Sequence, residues 1–370
     1  MLSVIATQHR GDRRTVATAS SILYVGRNAG TSRQRLLALR RLGHTVSVID
    51  PRQFLPPGRP VDYWIYHTGA LFLGHWIRRQ VIHALGSSQF DVAFINHGEL
   101  VNASLVEDLS RLCSYVINYN VDDPFGGRDG AKWRLYLEAV PAYDAVVVTR
   151  DCNVAEAYSA GARNVLRVSR SADEVAHAPR QISEEDMCRW HADVVFIGTW
   201  MPERGPLLAK LIGLNVPLTI YGDHWQKAPE WPLLRSHWNG PGLYRDDDYA
   251  RAVQCAKVCL GLLSKGNRDL VTQRSFEIPY LGGVLCAERT REHLTYYRED
   301  VDAIFWSDAE ECAEKCHRLL ADHKWRESVA ESGRARCLAN RTTNENVLTD
   351  ILEHLRASAH SARNPRAFQR

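Results

Sequence analysis

Residues 21–50 read SILYVGRNAGTSRQRLLALRRLGHTVSVID, and this stretch predicts a parallel βαβ unit. An apolar strand leads into a glycine-bearing loop, then into a helix with Leu36, Leu37 and Leu39 on its apolar face, and after Gly43 into a second strand. The loop at residues 26–30 lacks the full spacing of a dinucleotide fingerprint, so its signal for NAD is weak. We interpret the unit as the opening of a Rossmann-like domain whose loop lines a ligand cleft.

The same alternation of strand and helix patterns continues along the chain. A first series of strand patterns lies at residues 21–26, 45–50, 91–96, 115–120, 144–149 and 164–168, and a second at residues 193–198, 217–222, 256–263, 283–287 and 303–306. Such alternation predicts an α/β protein with parallel sheets. A polar stretch at residues 170–189 separates the two series and predicts a domain boundary. We expect an N-terminal domain over residues 1–175, a C-terminal domain over residues 176–345, and a final helix with a mobile tail over residues 346–370.

Composition sets the broad class of the protein. The chain has 370 residues, of which 45% are hydrophobic and 24% charged, as is usual for globular domains with sizeable cores. Its 46 basic and 43 acidic residues are too balanced to indicate a nucleic-acid partner. The apolar run before Gln8 is too short for a signal peptide, and no later run approaches a membrane span. We therefore expect a cytoplasmic protein with at most peripheral membrane association, and its nine cysteines favour reduced thiols over a disulfide framework.

A second informative stretch, residues 267–288, reads NRDLVTQRSFEIPYLGGVLCAE, with Asp269 eight residues before Glu277. A helix beginning near Thr272 would offer free backbone N–H groups to a diphosphate, and Arg268 or Arg274 could add a charged contact. The Glu277 carboxylate could accept two hydrogen bonds from a ribose diol, while Asp269 could face sugar hydroxyls. The simpler alternative is that Asp269 caps the helix and Glu277 is solvated.

This stretch resembles the donor site of retaining GT-B glycosyltransferases and, more narrowly, the CgeB-like (spore maturation protein) branch of glycosyltransferase group 1. A second resemblance lies at residues 196–205, FIGTWMPERG, which is similar to the strand, loop and helix in which that superfamily places an Arg and a Lys on the donor phosphates. Arg204 falls on the Lys position, but Thr199 falls on the Arg position. One cationic contact must therefore be absent or come from Arg268 or Arg274.

The resemblance implies two Rossmann-like domains facing across a cleft, the GT-B fold, with the last helix crossing back to the N-terminal domain. It implies transfer of a sugar from a nucleoside-diphosphate-sugar to an acceptor hydroxyl, with retention at the anomeric carbon. No cofactor is expected, and cationic side chains at the diphosphate would make a divalent metal unnecessary. The expected donor contacts share the ends of the C-domain strands and the helices that follow them: Gly198, Thr199, Arg204, Tyr221, Gly222, Asn267, Arg268, Arg274 and Glu277.

Polar residues also follow two strands of the N-terminal domain. His97 comes directly after the strand pattern at residues 91–96, and Asp122 and Asp123 follow the pattern at residues 115–120. Because the carboxyl ends of parallel strands face the ligand crevice, these side chains could contact the acceptor or serve as a base. Together with Asp269 they are the catalytic candidates. A hydrogen-bonded structural histidine and a turn with solvated acids are the simpler interpretations.

Two other classes of function stay open at this point. One is a nucleotide-sugar epimerase or a phosphorylase, because the scaffold does not fix the chemistry. The other is a non-catalytic sugar-nucleotide-binding protein in surface assembly, which the departure at Thr199 makes conceivable. The expected partners are a nucleotide-sugar donor and a glycan, lipid-linked, protein or small-molecule acceptor, without nucleic acid. No metal site is predicted, since helix capping explains the acid triplet at residues 246–248 and core packing explains the cysteine pairs.

Overall fold

The structure is a computed structural model that describes residues 19–363. Most of the segment expected to be a mobile tail, and the residues before position 19, lie outside the described part of the chain. The strands are β1 Ser21–Val25, β2 Thr45–Ile49, β3 Phe90–Asn96, β4 Cys113–Asn120, β5 Ala145–Val148, β6 Val165–Arg167, β7 Ala192–Ile197, β8 Leu218–Tyr221, β9 Trp238–Gly240, β10 Ala256–Gly261, β11 Leu285–Glu288 and β12 Ile304–Trp306.

The helices alternate with these strands, as the sequence pattern predicts. They are α1 Gly30–Arg41, α2 Arg59–Thr68, α3 Leu73–Leu85, α4 Ala103–Leu112, α5 Arg134–Ala139, α6 Asp151–Ser159, α7 Glu184–Trp190, α8 Arg204–Gly213, α9 Trp231–Leu234, α10 Asp246–Gln254, α11 Arg274–Tyr280, α12 Arg291–Tyr296, α13 Ala309–Ala321, α14 His323–Ala339 and α15 Asn344–Arg363. Short 3₁₀ turns supplement them. In the part of the chain that the structure covers, no helix combines the length and the apolarity needed to span a bilayer.

The strands form two parallel sheets of six, with the orders β2-β1-β3-β4-β5-β6 and β12-β11-β10-β7-β8-β9. The α/β fold class expected from the sequence is thus confirmed. The short strand β9 was not predicted, because its three residues carry no period long enough to recognise. In each sheet the strand order reverses once, between β1 and β3 and between β7 and β10. Ligands bind parallel sheets at the carboxyl ends of the strands beside such reversals, so the topology alone marks two candidate crevices.

The last helix joins the two halves of the molecule. Helix α15 packs its apolar face, including Leu348 and Ile351, into the core formed by the first sheet and α1. Just before the helix, Thr343 pairs with Ala172 in an isolated bridge. Arg41 of α1 forms salt bridges nearby with Asp173 and Glu345. The two connections between the halves of the molecule, one near Ala172 and one near Thr343, therefore lie side by side.

We predict that Leu348→Ala destabilises the protein by about 2–5 kcal/mol, because it opens a cavity where a fully buried leucine packs α15 on the first sheet. Leu338→Ala on the neighbouring α14, where the leucine is 46% exposed, is the matched control and should change stability by less than about 1 kcal/mol. Urea unfolding followed by circular dichroism measures both. Equal losses in the two variants would contradict the packing role of α15.

Candidate active site in the interdomain cleft

Arg204 is the first residue of α8, which follows β7 and so begins beside the strand-order reversal between β7 and β10. It is 9% exposed, and its guanidinium donates to the carbonyl of Thr199 at 2.8 Å and to those of Leu262 and Leu263 at 3.3 Å. Within residues 19–363 no carboxylate lies in salt-bridge range of this guanidinium, and its Nε has no hydrogen-bond partner. Burial lowers the pKa of Arg204 to about 10. A buried cation that bonds only to carbonyl oxygens favours an anionic ligand at this edge of the sheet.

The loops beside Arg204 are shaped by close backbone packing. A Cβ atom at Gly222 would lie 1.9 Å from the carbonyl oxygen of Gly198, so this position requires glycine. Trp225 donates from its indole to the same carbonyl at 3.0 Å. Tyr221 is buried, and its hydroxyl accepts a hydrogen bond from Asn239. Gly198, Tyr221 and Gly222, which were expected to touch the nucleotide, thus hold the strand ends together, and a donor contact by any of them stays a prediction.

Glu277 and Arg274 lie one turn apart on α11, which begins two residues later than expected, at Arg274. Arg274 donates to Glu277 Oε2 at 2.5 Å and stacks 4.0 Å above the ring of Tyr249. His177 Nε2 lies 3.4 Å from Glu277 Oε1. Burial opposes the charge, but Arg274 and His177 hold the pKa of Glu277 below its usual range. Glu277 is therefore an ionised and buried carboxylate whose two oxygens are both engaged, rather than the solvated helix residue of the simpler interpretation.

Asp269 faces the N-terminal domain, where two arginines bind it. Its Oδ1 accepts hydrogen bonds from Arg150 at 2.5 and 3.0 Å and from Arg170 at 2.9 Å. All three side chains are at least 90% buried. A contact between Asp269 and sugar hydroxyls stays a prediction, and Asp269 would have to share its carboxylate with these two guanidinium groups.

Arg268 and Asp123 form a second ion pair between the domains. Arg268 donates to both oxygens of Asp123, at 2.6 and 2.8 Å, and also bonds Glu156. Asp123 further accepts from Asn153 at 2.8 Å and from the backbone N–H of Gly126. Burial opposes ionisation, but the bonds from Arg268 and Asn153 keep the pKa of Asp123 below its usual range. This geometry argues against Asp123 as a base and against Arg268 as a free phosphate contact, since each neutralises the other.

The reversal between β1 and β3 holds the second crevice, a cavity of about 540 Å³ at the carboxyl edge of the first sheet. The loop after β1, the start of α1 and His97 after β3 line it, and Tyr244 reaches it from the C-terminal domain. His97 adopts a left-handed backbone with φ of 67°, and its Nδ1 lies 3.6 Å from Asp122 Oδ2. Burial lowers the pKa of His97, and its Nε2 has no partner among the described residues. The imidazole therefore has an unpaired but buried Nε2 next to the cavity.

Asp122 differs from its neighbour Asp123 because it stays partly exposed at the cleft. Lys132 lies 4.0 Å from it and 3.6 Å from Glu99. Burial opposes the charge of Asp122, but His97 and Lys132 hold its pKa below the usual range. Asp122, as an ionised carboxylate, and His97, as a neutral imidazole, therefore lie side by side next to the cavity.

The sequence analysis missed the cleft arginines of the N-terminal domain. Arg150 follows β5, Arg170 follows β6, and Arg128 lies in the loop after β4. Each comes shortly after the carboxyl end of a strand, which is the signal that could have identified them. Asn267, another expected donor contact, lies in the 3₁₀ turn after β10, and its buried Oδ1 has no partner among the described residues.

Two groups of residues with metal-binding side chains have structural roles in the fold. Within the acid triplet that opens α10, Asp246 accepts from Gln34 and Asp247 pairs with Arg180, so these carboxylates diverge. The Sγ atoms of three buried cysteines lie within 4.8 Å of one another, and these residues pack among apolar side chains of the second sheet's core: Cys286, Cys312 and Cys316. Such burial is usual for cysteine as a small apolar residue.

Comparisons with known proteins concern the fold and the C-terminal part of the chain. Residues 204–353 match the model of a family described as glycosyl transferase-like. The fold matches a sucrose-phosphate synthase from Thermosynechococcus elongatus at a TM-score of 0.68 and 13% identity, covering 92% of this chain and 99% of that one. It also matches HepE from Anabaena, solved with UDP and glucose, at a TM-score of 0.64 and 12% identity, covering 91% and 99%. No curated protein sequence matches the chain.

A third structure with this fold is a putative UDP-N-acetylglucosamine 2-epimerase from Listeria monocytogenes, at a TM-score of 0.57 and 8% identity, covering 93% of this chain and 98% of that one. The two six-stranded sheets therefore have the GT-B arrangement. The enzyme class that the family model and the fold support together is glycosyltransferase.

His293 provides a test of how α11 is anchored in the site. Its Nδ1 donates to the Glu288 carbonyl at 2.7 Å, its Nε2 bonds Ser275 of α11 at 2.8 Å, and burial lowers its pKa to about 4. Between pH 4 and 6.5 the unfolded chain therefore binds more protons than the folded one. We predict that stability falls as the pH drops through this window, by up to about 3 kcal/mol.

The measurement is urea unfolding at several pH values for the wild type and for His293→Gln, which cannot titrate. The variant should lose this part of the pH dependence whatever its stability at pH 7. The exposed His83→Gln on α3 is the control and should keep the wild-type slope. A pH dependence that is the same in all three proteins would show that His293 is not held neutral in the fold.

Proposed function

We propose that the protein transfers a sugar from a nucleoside-diphosphate-sugar to an acceptor hydroxyl. The observation that carries the proposal is the pairing of two crevices at strand-order reversals. The one in the C-terminal domain holds the buried cation Arg204, and the one in the N-terminal domain holds His97 and Asp122. Tyr244 of the C-terminal domain lines the cavity beside His97, so this cavity lies where the two domains meet. A donor and an acceptor bound in the two crevices would meet between the domains.

The donor diphosphate is proposed to bind at Arg204 and the first turn of α8. A guanidinium aimed at the leaving group stabilises the charge that grows on it during transfer. Held in this way, the diphosphate needs no divalent metal, and we propose a metal-independent reaction. HepE, a protein of the same fold, has been solved with UDP-glucose bound, which supports a nucleoside-diphosphate-sugar as the donor class.

Glu277 is proposed as the ribose contact. Its carboxylate is ionised and held by Arg274, as a group that accepts two hydrogen bonds from a diol must be. Since both oxygens already have partners, the ribose would share the carboxylate with His177, whose Nε2 lies at the longer distance of 3.4 Å. The transferred sugar would then lie toward Asp269, with the N-domain arginines behind that carboxylate.

The acceptor is proposed to occupy the cavity of about 540 Å³ in the N-terminal domain. Its hydroxyl would approach the His97 imidazole, whose buried Nε2 would become accessible through a small rotation of the ring and whose Nδ1 lies 3.6 Å from Asp122. We propose retention at the anomeric carbon, in which case His97 positions the sugar or the acceptor hydroxyl. If the product instead shows inversion at the anomeric carbon, His97 is the proposed catalytic base. Nuclear magnetic resonance of the product's anomeric proton distinguishes the two.

Two narrower assignments, the family branch and the cellular location, are part of the same proposal. The stretch at residues 267–288 supports a place in the CgeB-like branch of glycosyltransferase group 1. A cytoplasmic location is part of the proposal, and the free cysteines are consistent with it. An epimerase is the second candidate, because a putative epimerase shares the fold. The family match over residues 204–353 favours the transferase, and incubation with donor alone, followed by sugar analysis, would reveal an epimerised product.

Donor binding is tested by calorimetric titration against UDP, GDP, dTDP and CDP in EDTA, with NAD as the negative ligand. We predict selective binding of one nucleoside diphosphate, weakened at least about tenfold, or 1.4 kcal/mol, in Glu277→Gln. Glu314→Gln, at an exposed position of α13, is the control and should bind like the wild type. Binding of no nucleoside diphosphate, or strong binding that needs a metal, would overturn the proposed donor site.

The role of His97 is tested by turnover of the nucleotide sugar so identified. We predict that His97→Gln lowers kcat at least about tenfold while the dissociation constant of the nucleoside diphosphate stays within about twofold, because His97 faces the acceptor cavity. Release of nucleoside diphosphate during transfer measures kcat, and His83→Gln on the exposed face of α3 should behave like the wild type. A fall in donor affinity without a fall in kcat would move His97 to the donor site.

A further inference from the structure

The donor site lacks one cation at the position where the resemblance implies an arginine, namely Thr199. The two replacements expected from the sequence are not free in the structure. Arg268 bonds the carboxylates of Asp123 and Glu156, and Arg274 bonds Glu277. A guanidinium whose charge is matched by a carboxylate in good geometry adds little attraction for a phosphate. The second cation must therefore come from elsewhere in the cleft.

Arg128 of the N-terminal domain reaches across the cleft to the C-terminal domain. Its Nη1 donates to the hydroxyl of Ser264, three residues after the end of β10, at 2.9 Å. Its side chain runs along the 3₁₀ turn at residues 265–267, where a Cβ atom on Gly266 would lie 2.8 Å from Arg128 Cδ. A side chain at position 266 would force Arg128 to shift. The turn is thus shaped so that an arginine from the opposite domain can pass over it.

Arg128 and Arg204 converge on one short segment. Arg204 bonds the carbonyls of Leu262 and Leu263, and Arg128 bonds the next residue, Ser264. The positive charge of Arg128 adds to burial in lowering the pKa of Arg204, as expected for neighbouring guanidinium groups. The acid nearest to Arg128 is Asp129, at the long distance of 3.8 Å. Two neighbouring guanidinium groups without a closely bonded carboxylate repel each other unless an anion lies between them.

We propose that Arg128 supplies the second cationic contact to the donor diphosphate, so that a single ligand group is bound by both domains. This inference rests on the proposed function and assigns a residue to the same site. When the donor binds, Arg128 exchanges the neutral hydroxyl of Ser264 for a phosphate oxygen beside Arg204. The diphosphate then holds the cleft closed, and the nucleoside alone does not.

The experiment measures binding of Arg128→Ala by calorimetry, with the nucleoside diphosphate that the wild type prefers and with the matching nucleoside. We expect diphosphate binding to weaken at least tenfold and nucleoside binding to stay within twofold, because only the diphosphate carries the charge. Arg128→Lys should recover part of the loss. Arg111→Ala, at an exposed arginine of α4, is the matched control and should change neither affinity.

Ser264→Ala separates the phosphate contact from the interdomain hydrogen bond. It removes the partner of Arg128 but leaves the charge, so we expect diphosphate affinity to stay within threefold of the wild type. If Arg128→Ala weakens nucleoside and diphosphate equally, or if Ser264→Ala has the same effect as Arg128→Ala, Arg128 only joins the domains and the inference fails. Wild-type binding that Arg128→Ala leaves intact also refutes the inference but not the proposed function. A wild type that binds no nucleoside diphosphate overturns both.

Discussion

The geometry of the cleft depends on a buried contact between charges of the two domains. Asp269 of the C-terminal domain lies between Arg150 and Arg170 of the N-terminal domain, and Arg268, its neighbour in sequence, holds Asp123. Removing ions from water is costly, so such contacts add little net stability unless their geometry is good. What they supply is a fixed relative position. They hold the two strand-order reversals in place relative to each other, and so they set the distance between the proposed donor and acceptor sites.

The same contacts change the meaning of the acidic pattern at residues 267–288. In the glycosyltransferases that this stretch resembles, acids at the positions of Asp269 and Glu277 are both expected to contact the donor. Here Asp269 is an interdomain contact, and Glu277 is locked to Arg274 beneath the surface of the cleft. Loss of activity after replacing either acid would therefore not identify a substrate contact, since the cleft itself would change. Conservative replacements with separate measurements of binding and turnover are needed at these positions.

The fold could be predicted from the sequence to a large extent, but the partners of the charged groups could not. Runs such as residues 21–26 and 91–96 predict parallel strands wherever their partners lie, and residues that follow them, such as His97, meet at one edge of the sheet. Arg268, by contrast, meets Asp123 over more than a hundred residues of intervening sequence. No local period encodes such a pair. A cationic side chain can bind an anionic ligand only when no nearby carboxylate already neutralises it. Whether a carboxylate is near is decided by the folded structure.

The proposed diphosphate site needs two cations, of which the C-terminal domain supplies Arg204. The N-terminal domain can supply the second, Arg128. With Thr199 in place of an arginine, the C-terminal domain presents Arg204 as a cation bonded to carbonyls at the β7 and β10 ends. A cation contributed from the opposite domain reaches the diphosphate only when the cleft is closed. Affinity for the donor is then coupled to the same domain contact that brings His97 and its cavity toward the sugar. With the diphosphate bound between the two domains, water would be excluded from the cleft, and this exclusion would limit transfer of the sugar to water.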